Sequence, residues 1–222
     1  MQALLLPGWL NSGPAHWQSR WEAVHGYTRV QQHDWQRPLR GDWIARLEEV
    51  LLLNQELLAH IPQGSTGDLT GKHTPNTNAA TCAQHRGGIV LVAHSLGCHL
   101  VAAWAAASRN THLVKAALLV APPDVTREDF PHEMANWRRP VLGKLPFKSV
   151  CVISTNDPFS SLQASHALAQ NWGASAGGGC VEIGAYGHIN GDSGLNDWPA
   201  GHQLLLNLIH SSTPWSLKNP KA

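Results

Sequence analysis

Five short, mostly apolar runs punctuate the chain: Ala3–Leu6, Ile89–Ala93, Ala116–Val120, Ser149–Ser154 and Cys180–Ile183. Each stops at a turn or a polar loop. The runs are continuous and do not alternate apolar with polar, which suits strands buried on both faces of a parallel sheet. Helix-forming stretches separate them. Residues 14–25 carry Trp17 and Trp21 at i, i+4 with Val24 one turn on, and Pro14 suits the first turn. Asp42 caps a second stretch with Trp43, Leu47, Val50 or Leu51, Leu57 and Leu58 near helical spacing, ending before Pro62. Leu96–Ala107, Leu162–Trp172 and Gln203–Ile209 read as further helices, and Tyr27–Gln31 as one more short strand. This alternation predicts a single three-layer α/β domain over 1–222, with a mostly parallel sheet of about six strands.

Residues 62–86 differ in character. Gly, Ser, Thr, Asn, Gln and Pro dominate them, and a structureless loop of that length is uncommon inside a compact domain. They read as a flexible surface insertion. The hydrophobic fraction of 43% allows a sizeable core. A net charge of +1 with no basic run gives no footprint for nucleic acid. No apolar stretch approaches the length of a membrane span, and the N-terminal run lacks the positive region of a signal peptide. Cys82, Cys98, Cys151 and Cys180 include no Cys-x-x-Cys pair, so reduced thiols and a cytoplasmic location are expected, although an even count leaves a disulfide open.

The chemistry concentrates at Val90-Leu-Val-Ala-His-Ser95-Leu-Gly-Cys98. A strand, a small residue, Ser95, Gly97 and an Ala-rich helix match a nucleophile elbow, with Ala93 in place of the usual first glycine. Small residues two before and two after the serine relieve crowding in the sharp turn. The turn exposes the hydroxyl at a helix N-terminus, where free N–H groups favour negative charge. A serine N-cap on a core helix is the plainer alternative.

A serine hydroxyl needs a base, and the base needs a third group to fix its tautomer. After Ser95 the order acid, then histidine, can be met. Asp157 follows the run Ser149–Ser154, at the end of a strand where ligands bind in open α/β sheets. Asp124 follows an earlier strand and competes for the role. Among 14 histidines, His188 sits in a glycine-flanked loop after both acids. His202 and His210 fall in the last helix, and His94 and His99 flank the serine as packing residues. The backbone N–H groups of Leu96 and of Trp9 or Leu10 are the candidate oxyanion donors. Trp9, Leu10 and His94 are the candidate substrate contacts.

Beyond these, Leu6-Pro-Gly-Trp9, Ser12-Gly-Pro14, His16-Trp-Gln18, Trp21-Glu22, Val92–Cys98, Leu145-Pro-Phe147, Ser154–Pro158 and Gly187-His-Ile-Asn190 together resemble small serine hydrolases related to retinoblastoma-binding protein nine. The resemblance spans about residues 7 to 191. It implies an α/β-hydrolase fold without a large lid, no metal, and a triad at Ser95, Asp157 and His188, which demotes Asp124. The insertion is longer than in that family, and no Leu-x-Cys-x-Glu motif for a pocket protein is present. The expected activity is carboxylesterase-like cleavage of a small ester or amide, with no cofactor and a small acyl compound as partner. A hydrolase scaffold retained as a protein-binding module is the alternative. A zinc hydrolase is a third reading, against which the sequence has no His-x-x-x-His or His-Glu-x-x-His spacing.

Overall fold

The computed structural model describes residues 2–59, 88–174 and 179–210. The proposed insertion at 62–86, Cys82 and Trp215 lie outside them. Six strands, β1 (Gln2–Leu6), β2 (Thr28–Arg29), β3 (Ile89–His94), β4 (Val114–Val120), β5 (Lys148–Ile153) and β6 (Cys180–Glu182), form one sheet. Its order is β2-β1-β3-β4-β5-β6 and every pairing is parallel. All six residues of β3 are buried, and in β4 only Lys115 is exposed. That is the pattern expected where helices cover both faces.

Alternate strand residues serve two cores. Leu4, Leu91, Ala117 and Cys151 pack beneath α2 (Arg40–Ala59), α3 (Leu96–Ala107) and α4 (Leu162–Asn171). Leu5, Val92, Leu118 and Val152 pack against α1 (Trp17–His25) and α5 (Pro199–His210). On this second face Trp17 meets Trp21 and Trp198 edge-on, with ring centres 4.7 and 5.1 Å apart. Such pairs add to the area they bury.

Three helix starts differ from the sequence reading. Pro14 lies ahead of α1, because the His16 N–H donates to the Gly13 carbonyl in a turn. The His16 imidazole then caps the helix, accepting from the Gln18 N–H at 3.1 Å. Asp42 lies inside the first turn of α2 and is not its cap. There its carboxylate faces the positive end of the helix dipole. α5 opens at Pro199, four residues before Gln203, with proline at the first helical position where a missing N–H costs nothing. No helix among the described residues is long and apolar enough to cross a membrane.

Candidate active site

Chain direction across the sheet reverses beside β1. The chain leaves β1 for β2 on one side and returns to β3 on the other. Such a switch point opens a crevice at the carboxyl ends of the strands. The turns after β1 and β3 meet there. An added Cβ on Gly8 would lie 2.7 Å from the Ser95 Cβ.

Ser95 occupies φ 54°, ψ −125°, a conformation that side-chain-bearing residues avoid. Its N–H donates to the Val120 carbonyl at 2.9 Å and its carbonyl accepts from the Cys98 N–H at 2.9 Å. The requirement for glycine at position 97 has a different origin from crowding within the elbow. A Cβ there would lie 2.3 Å from the Leu6 carbonyl oxygen and 3.0 Å from that of Pro7. The first turn of α3 is therefore pressed against the end of β1. Gly97→Ala is expected to destabilise the fold by about 3 kcal/mol, the upper part of the usual overpacking range. Urea denaturation of the variant measures this.

Ser95 Oγ and His188 Nε2 lie 2.8 Å apart. On the other side of the ring, Nδ1 lies 3.0 and 2.9 Å from the two Asp157 oxygens. A carboxylate only accepts, so Nδ1 carries the proton and Nε2 is left to accept from the serine hydroxyl. Both partners are buried, the Asp157 side chain at 2% exposure and that of His188 at 9%. The loops bearing them are laced together. Asn156 Oδ1 accepts from the Gly187 N–H at 2.7 Å and from Ser154 Oγ at 2.9 Å, and Ser154 Oγ accepts from the Tyr186 N–H at 2.9 Å. Phe159 meets the His188 ring edge-on at 4.6 Å, and its N–H donates to Asp157 Oδ1 at 2.9 Å.

Asp124 lines the same cavity but is engaged otherwise. Its carboxylate accepts from the Thr126 N–H and hydroxyl at 3.0 and 2.6 Å. Of the two N–H groups offered by the turn after β1, that of Leu10 is taken by the Trp35 carbonyl at 3.1 Å. Among the described residues none accepts from the Trp9 N–H. The Leu96 N–H opens α3 and so has no acceptor within the helix.

Several residues named along the chain support the site through contacts that residue order does not show. Gln18 is fully buried and its amide donates to the Leu6 and Val92 carbonyls at 3.3 and 3.0 Å, clamping β1 to β3 just below the elbow. The Trp17 indole donates to the Ile189 carbonyl at 2.8 Å, beside His188. His94 donates from Nε2 to the His188 carbonyl at 2.9 Å. The His16-Trp-Gln motif marked Trp17 and Gln18, and His94 was marked by its place beside Ser95, but nothing local indicated what they would hold.

Three of these imidazoles resist protonation. Burial pushes His16 down to about 3, with help from the neighbouring Arg29 guanidinium. Burial likewise lowers His99 to about 4 and holds His94 well below the usual histidine range. All three bind a proton more readily when unfolded. Stability is therefore complete above about pH 6.5 and falls as the pH drops toward the folded values. The expected loss is on the order of 1 kcal/mol per pH unit per histidine. Denaturant midpoints at pH 7 and pH 5 check this, and equal midpoints would contradict it.

The cavity over Ser95 encloses about 610 Å3. Trp9, Leu10, His16 and His94 line it, with Phe130 and Met134 from the segment between β4 and β5, and Phe159. Arg127 of that segment holds Asp129 through two nitrogens and donates to the Pro158 carbonyl, tying the wall to the Asp157 loop. Among the described residues no group of three or more His, Cys, Asp or Glu side chains could hold a metal ion.

A parallel six-stranded sheet with a strained serine between β3 and α3 defines an α/β hydrolase. The chain belongs to the serine hydrolase family, whose model matches residues 3–63 and 76–207. It is similar to a YdeN-like hydrolase from Pectobacterium atrosepticum, with 22% identity, a TM-score of 0.65, and coverage of 93% of this chain and 89% of that one. The ydeN gene product of B. subtilis is 18% identical, with a TM-score of 0.57 and coverage of 95% and 99%. A meta-cleavage product hydrolase from Pseudomonas fluorescens is 11% identical, with a TM-score of 0.58 and coverage of 96% and 92%. At these identities the likeness speaks for the fold. No curated protein matches the chain.

Proposed function

We propose that the protein hydrolyses a small ester or amide through an acyl-enzyme on Ser95, with His188 as general base and Asp157 orienting it. The observation that carries this reading is the position of His188, within hydrogen-bond reach of Ser95 Oγ on one side and of the Asp157 carboxylate on the other. His188 Nε2 takes the serine proton as Oγ attacks the carbonyl. The tetrahedral oxyanion is received by the Trp9 and Leu96 N–H groups, each such donor being worth roughly 100- to 1,000-fold in rate. The imidazolium then protonates the leaving group, and the same base activates water to release the acid.

The cavity supports a compact substrate with an apolar acyl part. Its volume of about 610 Å3 lies within the usual range for small-molecule sites, and Leu10, Phe130, Met134 and Phe159 supply apolar walls. The motifs shared with relatives of retinoblastoma-binding protein nine support a reading of the chain as one of that group within the wider family. A scaffold kept only for binding another protein would have no need of all three aligned groups.

A fluorophosphonate probe tests the reading directly. Folded protein is expected to be labelled at Ser95 by mass mapping, and Ser95→Ala is expected to stay unlabelled. Absence of labelling in folded protein would reject an activated serine and turn attention to the binding role.

A further inference from the structure

A second reactive cluster lies at the far edge of the sheet, outside the cavity. Cys151 on β5 and Cys180 on the edge strand β6 are register partners. Both are free thiols, Cys151 buried and Cys180 half-buried. From α4, His166 places Nδ1 3.6 Å from Cys180 Sγ. The other ring nitrogen of His166 lies 2.7 Å from Glu182 Oε1. The carboxylate holds a proton on Nε2, which leaves Nδ1 free to accept the thiol proton. This is the arrangement that activates a nucleophilic sulfur, a base beside the thiol and an acid orienting the base. His166 and Glu182 are about half exposed, so water and small solutes reach them.

We propose that Cys180 and Cys151 form a peroxide-sensitive dithiol site, in which Cys180 is the attacking thiol, Cys151 the resolving thiol and His166–Glu182 the positioning pair. Cys180 as thiolate attacks the distal oxygen of a hydroperoxide. The O–O bond breaks, an S–O bond forms, and His166 gives its proton to the departing alkoxide or hydroxide. The hydroperoxide is the two-electron oxidant. The Cys151 thiol then attacks the sulfenic sulfur, an S–S bond forms and water leaves. Directly opposed residues on neighbouring strands are within the Cα separation that a disulfide spans. Among the described residues the three-residue β6 is paired only on its inner side, so it can shift to close the bond.

The local electrostatics agree with this division of labour. The Cys180 thiol is pulled down to about 7, first by its hydrogen bond with Cys151 and then, against the cost of burial, by His166. Cys151 is pushed up by that same bond and by burial. At pH 7 about half of a thiol with the lower value is ionised, against a few per cent at the ordinary value, which gives about tenfold faster alkylation.

The test uses the full chain carrying Cys82→Ser. With iodoacetamide at pH 7, Cys180 is expected to react about tenfold faster than a thiol of ordinary ionisation, and His166→Gln should reduce that advantage. After hydrogen peroxide, non-reducing peptide mapping should give a Cys151–Cys180 cross-link. Cys151→Ala should stop at a sulfenic acid on Cys180 that dimedone traps. His166 is on the surface, so its variant is expected to fold. Should Cys151→Ala fail to fold, the cross-link in the parent protein still decides the matter. Ordinary alkylation of Cys180 that His166→Gln leaves unchanged would overturn the proposal. So would oxidation of Cys180 with no cross-link to Cys151.

Discussion

Replacing Ser95 with alanine is expected to lower kcat on a p-nitrophenyl acyl ester by about a million-fold while the protein stays folded. The magnitude follows from how the three groups act. Without Oγ there is no covalent intermediate, and His188 has no proton to take. His188→Ala should cost about as much, and the double variant little more, because the groups work as one unit. What should survive is the contribution of the proposed oxyanion donors, the Trp9 and Leu96 N–H groups, and of the cavity, typically about 1,000- to 10,000-fold over water. Melting temperature should barely move, since alanine meets the same backbone strain at φ 54°. Steady-state kinetics on purified variants, with circular dichroism to verify folding, measure the effect. Near-normal turnover by Ser95→Ala would sink the mechanism.

Asp157→Asn is expected to lower kcat by about 10,000-fold at neutral pH, whereas Asp124→Asn should change it less than tenfold. The reason lies in which atoms face the base. Asp157 Oδ1 accepts from the Phe159 N–H, so an asparagine there would turn its carbonyl toward Phe159 and its amide toward His188. An amide donor opposite Nδ1 stabilises the tautomer with its proton on Nε2, which cannot accept from Ser95. The Asp124 carboxylate is spent on Thr126 and bonds to no histidine among the described residues. A large loss in the Asp124 variant with a small one in the Asp157 variant would reverse the assignment of the acid.

Much of this arrangement was legible along the chain, and the physical reason differs from part to part. Ile89–Ala93 read as a buried strand because all its residues are apolar, and the strand continues one residue further to His94. Leu96–Ala107 read as a helix and is one. Asp157 and His188 could be named because both follow strand-like runs in the required order. Residue order by itself leaves Asp124 beside Asp157 and Leu10 beside Trp9, and it does not encode the contacts of Asp124 with Thr126 or of Leu10 with Trp35.

Strands, helices and the elbow follow from local spacing and burial, since apolar periodicity and small residues act over a few positions. The sequence by itself thus determined the fold class, the serine on its turn, and the order of acid and base behind it. Tertiary structure alone decided which carboxylate reaches His188 and which N–H stays free. It also decided that Gly97 answers to Leu6, that Gln18 clamps β1 to β3, and that Cys151 and Cys180 lie side by side. These depend on contacts between residues far apart in the chain, which exist only once the order of strands in the sheet brings their ends together.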